Sequence, residues 1–307
     1  MSEAILTIKN VSKRFGHYQA LSELSLTVNR RDIYGLIGEN GAGKTTLMRL
    51  IIGLSALHQG QITLLGENAG HYQQALRRTG AIIESPAAFP GLTVLQNLTL
   101  TAKQHGLAEP DLIAETIAFV GLTEKTHTKA KHLSLGQRQR LGLAIAILPR
   151  PDFLILDEPI NGLDPAGIIE FRQLIARLNT ERHTTILIAS HILSELYQVA
   201  TRFGIIHHGH LIKQLSKAEL DEANRVGLMI TVDQVQLASQ TLDQAGFETF
   251  SVLDDHRIWL PQAHPDTGHI NQLLVSQGIV VTALIQQSGS LEQYYTTLIA
   301  KEDNTHA

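Results

Sequence analysis

The 307-residue chain contains no cysteine, which excludes disulfides, thiolate metal sites and a cysteine nucleophile. No apolar run approaches the roughly 18 residues needed to cross a bilayer. The opening MSEAILTIKN lacks the basic start and long apolar core of a secretion signal, so the cytoplasm is the expected address. The formal net charge is -4, which leaves no basic footprint for nucleic acid; no nucleic-acid partner is expected. Internal repeats and low-complexity runs are also absent. What remains is ordinary for a globular chain, 43% hydrophobic and 18% charged, with length for one large or two modest domains. None of this forbids docking onto a membrane protein.

The most informative stretch is GENGAGKT at 38–45. Two glycines flank four residues, and then come Lys and a hydroxyl residue, the pattern of a phosphate-binding loop. Gly38, Gly41 and Gly43 permit a tight bend that turns successive N–H groups inward, with Glu39, Asn40 and Ala42 between them. Lys44 adds a cation for the outer phosphates, and the Thr45 hydroxyl suits a magnesium ion. The flanks predict a short buried strand over 32–38 and a helix over 44–54, with Leu47, Leu50, Ile51 and Leu54 on one face. A strand, a glycine turn and a helix N-terminus make an anion site.

FLILDEP at 153–159 reads as a strand buried on both faces, the pattern of a central parallel strand. Ligands gather at the carboxyl ends of such strands, where Asp157 and Glu158 stand. Asp157 can help hold magnesium, and Glu158 can polarise an attacking water. Between the two motifs lies LSLGQ at 133–137, followed by RQRLGLAIAIL. This predicts a helix capped by Ser134 and closed by Pro149, with Leu141, Ala144, Ile145 and Leu148 inward. Its N-terminus is a second place for a phosphate.

With NGLD at 161–164 and a lone His191 after TTILIAS, the order and spacing of five motifs resemble an ABC-type ATPase over roughly residues 5–215. The fold this implies is α/β. It has a RecA-like P-loop NTPase core with an antiparallel β subdomain, and an α-helical subdomain inserted at about 85–140 that carries the signature. The nucleotide-binding domain would span 1–217. The resemblance also implies two such domains meeting head to tail around two ATP molecules. Gly38 to Thr46, with Thr45 on Mg2+, would hold ATP in one subunit, and Ser134, Gly136 and Gln137 would contact it from the other. Glu158 would activate water, His191 would contact the γ-phosphate, and residues 161–164 would line the seam. One motif set per chain then requires a second ATPase subunit.

Phe15, in KRFGHYQAL at 13–21, falls where this family stacks an aromatic on adenine, with Tyr18 as the alternative. The main departure is Glu84, where the family usually has Gln bridging magnesium, water and the permease. A carboxylate there would bind magnesium more strongly while adding charge beside the γ-phosphate. With 85–98, 190–196 and 288–300, Glu84 resembles the branch of bacterial exporters for lantibiotics and bacitracin-like peptides. Phe89, Leu92, Val94 and Leu95 are candidates for an apolar groove that receives a permease helix, or for core of the inserted subdomain. The transported peptide would meet only the permease, and the chain would sit peripherally on the cytoplasmic face of the membrane.

Residues 218–307 carry no nucleotide motif. Strands over 228–232, 247–253, 257–260 and 280–285, with helices over 235–245, 270–276 and 291–300, predict a small α+β ferredoxin-like domain. His207, His208 and His210 around Gly209 read as a hairpin tip rather than a metal site. A soluble, non-transport ABC ATPase is the alternative. The translation type has two motif sets per chain, however, and the DNA type a long coiled coil that is missing between Lys44 and His132. Glu158 and His191 argue against a regulatory module that hydrolyses little.

Overall fold

The computed structural model describes residues 3–85, 87–223, 226–247, 249–261, 265–288 and 291–306. Parts of the predicted segments 85–98, 247–253 and 288–300 lie outside these (residues 86, 248, 289 and 290). The chain divides into two compact units, Met1–Lys217 and Ala218–Ala307.

The first unit opens with two long strands, β1 (Ala4–Phe15) and β2 (Tyr18–Asn29), paired antiparallel with Phe15 opposite Tyr18 at the turn. Apolar residues recur along β1 and β2, and Leu6, Ile8, Leu26 and Val28 are buried. β3 (Ile33–Ile37) is buried at every position and runs into the glycine loop and α1 (Lys44–Ile51). Leu47, Met48 and Ile51 of α1 join the same apolar core as Leu6, Leu26 and Phe153. The helix stops short of Leu54, which is 70% exposed. The cause is Gly53, at φ 73°, which takes the left-handed position that ends a helix.

β4 (Gln59–Leu64) completes an antiparallel sheet in the order β2-β1-β4. After α2 (Tyr72–Arg77) and β5 (Thr79–Ile82) comes the inserted helical stretch, α3 (Val94–Gln104) and α4 (Pro110–Phe119). Thr93 and Gln96 form a reciprocal capping box at the start of α3, satisfying two otherwise orphaned N–H groups. Of the predicted groove residues, Val94 is fully buried in the core, whereas Phe89 is 54% exposed.

α5 (Leu135–Ile147) leads to β6 (Phe153–Asp157). The predicted single inward face of α5 is too narrow: Leu143 and Ile147 are buried together with Leu141, Ala144 and Leu148, and Ile145 is only half-buried. α6 (Pro165–Arg182), β7 (Thr185–Ser190), α7 (Leu193–Tyr197), β8 (Arg202–His207), β9 (His210–Ser216) and α8 (Lys217–Ala223) follow. The main sheet has the order β5-β6-β7-β3-β8-β9, parallel except for β9. β3, β6 and β7 lie side by side, so the ends of three buried strands converge on one edge.

The second unit takes in α8 beyond Lys217 and then runs β10 (Val226–Val232), α9 (Val235–Gln244), β11 (Ser251–Val252), β12 (Arg257–Leu260), α10 (Thr267–Ser276), β13 (Val281–Ser288) and α11 (Leu291–His306). Its antiparallel sheet has the order β11-β12-β10-β13, which is the ferredoxin-like arrangement of a βαββαβ chain. Leu228, Ile230 and Ile258 pack with Leu242 of α9 and Leu274 of α10. The strand predicted over 247–253 shrinks to Ser251–Val252, because Phe247 and Phe250 pack against this core from irregular backbone.

Candidate functional site

Parallel neighbours stand about 4.8 Å apart, so residues just beyond paired strand ends become side-by-side groups. Asp157 ends β6 opposite Ala189 of β7; Glu158 and His191 follow their strands by one residue each. His191 Nδ1 lies 2.9 Å from Glu158 Oε2. On the other carboxylate oxygen, Oε1, Lys44 Nζ approaches to 3.3 Å as an ion pair that lacks hydrogen-bond alignment. Lys44 is buried at the start of α1 and donates to the backbone carbonyls of Gly38, at 2.6 Å, and Glu39, at 3.2 Å.

One residue along α1, the Thr45 hydroxyl donates to Asp157 Oδ2 at 2.7 Å. Asp157 is buried, and its Oδ1 has no hydrogen-bond partner. Burial is the main force that raises its carboxyl pKa, with the Thr45 hydrogen bond opposing and the Glu158 and Glu84 charges adding to it. A hydroxyl beside a carboxylate with an orphaned buried oxygen is an oxygen-donor pair suited to a hard divalent cation. These residues fit magnesium.

Glu39, Asn40, Gly41, Thr46 and Tyr18 line a cleft of about 210 Å³ with Lys44, Thr45 and Glu158. The Tyr18 hydroxyl donates to the Gly41 carbonyl at 3.1 Å. Phe15, paired across the hairpin from Tyr18, is 51% exposed and has Lys13 Nζ 5.2 Å from its ring centre. Both aromatic rings at the hairpin end are open, and Tyr18 is the one that lines the cleft beside the loop.

Ser134, Gly136 and Gln137 line a different cleft, of about 480 Å³, with Gly162 and Asp164. Here Ser134 caps α5 reciprocally with Gln137, and Asp164 caps α6 by accepting from the Gly167 N–H. The two clefts share no lining residue, so one chain does not bring its signature residues onto its own phosphate loop.

A model for the family described as ABC transporter matches residues 21–161. The bacitracin transport ATP-binding protein BcrA of Bacillus licheniformis is 39% identical over 297 residues, 96% of this chain and 97% of that protein. The chain belongs to the ABC transporter family. The lantibiotic transport ATP-binding protein SrtF of Streptococcus pyogenes is 38% identical over 208 residues, covering 68% of this ABC ATPase and 89% of SrtF. A solved ATP-binding subunit of an ABC transporter superposes with a TM-score of 0.63 at 29% identity, covering 71% of this chain and 92% of that one. The alignment with BcrA is long enough to run through both units of this ABC ATPase, whereas that with SrtF is not.

Two features of the site escaped sequence reasoning. Arg49 pairs with Glu84 at 2.5 Å; it stands four residues after Thr45, on the same helical face, and nothing in that spacing marks Glu84 as its partner. The other is what the β8–β9 turn, the hairpin tip expected from the sequence, holds in place. His208 (φ 45°) and Gly209 (φ 80°) both take left-handed backbone, as a two-residue hairpin turn of primed type requires. Gly209 N–H donates to Ala42 of the phosphate loop at 3.0 Å, and its carbonyl accepts from Ser22 N–H at 3.0 Å. The Gly209 backbone, at the tip within the histidine run, therefore serves as a brace behind the loop. No metal-binding cluster of three such side chains occurs among the described residues.

Proposed function

We propose that the chain is the ATP-hydrolysing subunit of an ABC exporter that expels a bacitracin-like or lantibiotic peptide, giving immunity or resistance. The observation that carries the hydrolytic part is the convergence of Lys44, Thr45, Asp157, Glu158 and His191 at the ends of adjacent strands. Residues 38–46 cradle the phosphates, with Lys44 turning from its backbone carbonyls to the outer phosphate oxygens. Thr45 and Asp157 hold magnesium, with Glu84 at the neighbouring strand end; when bound, the ion supplies positive charge at the phosphate oxygens. Glu158 polarises the attacking water, and His191 orients that carboxylate and reaches the γ-phosphate. Phe15 stacks on adenine, and Tyr18 flanks it.

The separation of the two clefts supports a head-to-tail pair of chains, in which Ser134, Gly136 and Gln137 of one copy close over ATP on the other. Closure excludes water and strengthens each electrostatic contact to the transition state. The exporter part rests on whole-length similarity to BcrA. No helix among the described residues is long and apolar enough to cross a membrane, so transport requires permease subunits, with this chain on their cytoplasmic side.

Gentle detergent extraction of native membranes, affinity capture of this chain and mass identification of what comes with it test the reading. Recovery of small multi-helix membrane proteins, in a complex whose ATP hydrolysis responds to such a peptide, supports it. Recovery of ribosomes or DNA-bound proteins without a membrane partner leaves the ATPase and overturns the exporter.

A further inference from the structure

Glu84 stands two residues beyond β5, whose Ile82 pairs with Leu156 of β6. The strand ends thus bring Glu84 to the same sheet edge as Asp157, and its charge is one of those acting on the Asp157 carboxyl. Its backbone takes the left-handed region at φ 64°, a conformation that disfavours a side chain with a Cβ. The carboxylate is directed to Arg49, with Oε1 2.5 Å from a guanidinium nitrogen.

Arg49 lies on α1, one turn beyond Thr45, and residues four apart share a helical face. The face that presents Thr45 to Asp157 therefore presents Arg49 to Glu84. Three carboxylates, Asp157, Glu158 and Glu84, meet at this edge, where Lys44 is already engaged by Glu158. A third carboxylate free to enter the corner would add negative charge beside the phosphates, and it would also add an oxygen ligand for the cation.

We propose that Arg49 is the positioning residue for Glu84: its guanidinium holds the carboxylate one helical turn from the Thr45–Asp157 corner and so sets how strongly that corner takes a divalent ion. The inference rests on the assignment of Thr45 and Asp157 to magnesium. Arg49 is a separate device, the counter-ion that makes an acid workable at position 84. Its side chain is 41% exposed, so replacement by Met removes the charge without opening the core.

The test is magnesium-dependent binding of a fluorescent, non-hydrolysable ATP analogue to the full chain, titrated in the parent, R49M, R49K, E84Q and R49M/E84Q. In R49M the half-saturating magnesium concentration falls by about threefold, the scale of a partly exposed ion pair. R49K keeps the charge and stays at the parent value, and R49M/E84Q matches E84Q. A magnesium requirement that is unchanged or higher in R49M, or a shift that persists when position 84 is Gln, overturns the proposal. Should R49M not fold, E84Q alone decides: a requirement equal to the parent's fits a carboxylate already withheld, and a shift in either direction overturns the proposal. If the parent itself binds the analogue without magnesium dependence, it is the Thr45–Asp157 assignment that fails.

Discussion

The Glu158 carboxylate meets the His191 ring across 2.9 Å while its other oxygen faces Lys44 at 3.3 Å. The same acid is therefore oriented from two sides, by a residue after β7 and a residue at the start of α1. Replacing it by Gln preserves shape and removes the proposed base. For E158Q the expected result is a loss of ATP hydrolysis of about 10²-fold or more, the usual weight of a positioned base, with nucleotide affinity kept within a few fold. Phosphate release and analogue binding, measured on the same preparation, check both halves.

A second prediction concerns the brace behind the phosphate loop. A Cβ at Gly209 would lie 2.7 Å from the Ala20 carbonyl oxygen, and the backbone there has φ 80°. Gly209→Ala combines a clash with a left-handed strain, so a destabilisation of about 1–3 kcal/mol is expected. Because Gly209 donates to Ala42, nucleotide affinity should fall as well. Thermal melting with and without ATP analogue reads both effects.

A third prediction follows from Asp152, just ahead of β6. Its carboxyl is held below its ordinary value of 3.8, chiefly by the Arg78 hydrogen bond, with Arg30 contributing. A depressed carboxylate pKa stabilises the fold above the unfolded value, and that stability is lost as pH falls through the folded value. The melting temperature of D152N should lie below the parent's at about pH 7, and the gap should close by about pH 2. A gap that is constant across this range would assign the effect to packing instead.

The main sheet was legible because β3, β6 and β7 are short runs, apolar through their middles, each closing on a change of composition: glycines after β3, Asp157-Glu158 at the end of β6, Ser190-His191 at the end of β7. Burial on both faces leaves a parallel strand little other pattern to show. Segments with weaker signals misled. Leu54 continues the helical period of α1, yet Gly53 stops the backbone first. Phe247 and Phe250 look like strand residues, and they do pack inward, but from irregular chain. Arg49 carried no mark of its own, since a surface arginine on a helix is ordinary. Only the sheet order, which places β5 beside β6, brings Glu84 within its reach. The tip around His208 and Gly209 was readable as a turn, but the loop it supports is remote in sequence.

The central claim is that each ATP is closed between the phosphate loop of one copy and the signature of another. Mixing two singly disabled chains, K44A and G136D, tests it most directly, because a mixed dimer then contains one site built wholly from undamaged parts. Each variant alone should be nearly inactive. The mixture should recover about one quarter of the parent ATPase rate, since half of randomly formed dimers are mixed and each keeps one of two sites. A mixture no more active than its components would contradict the shared site and place catalysis within a single chain.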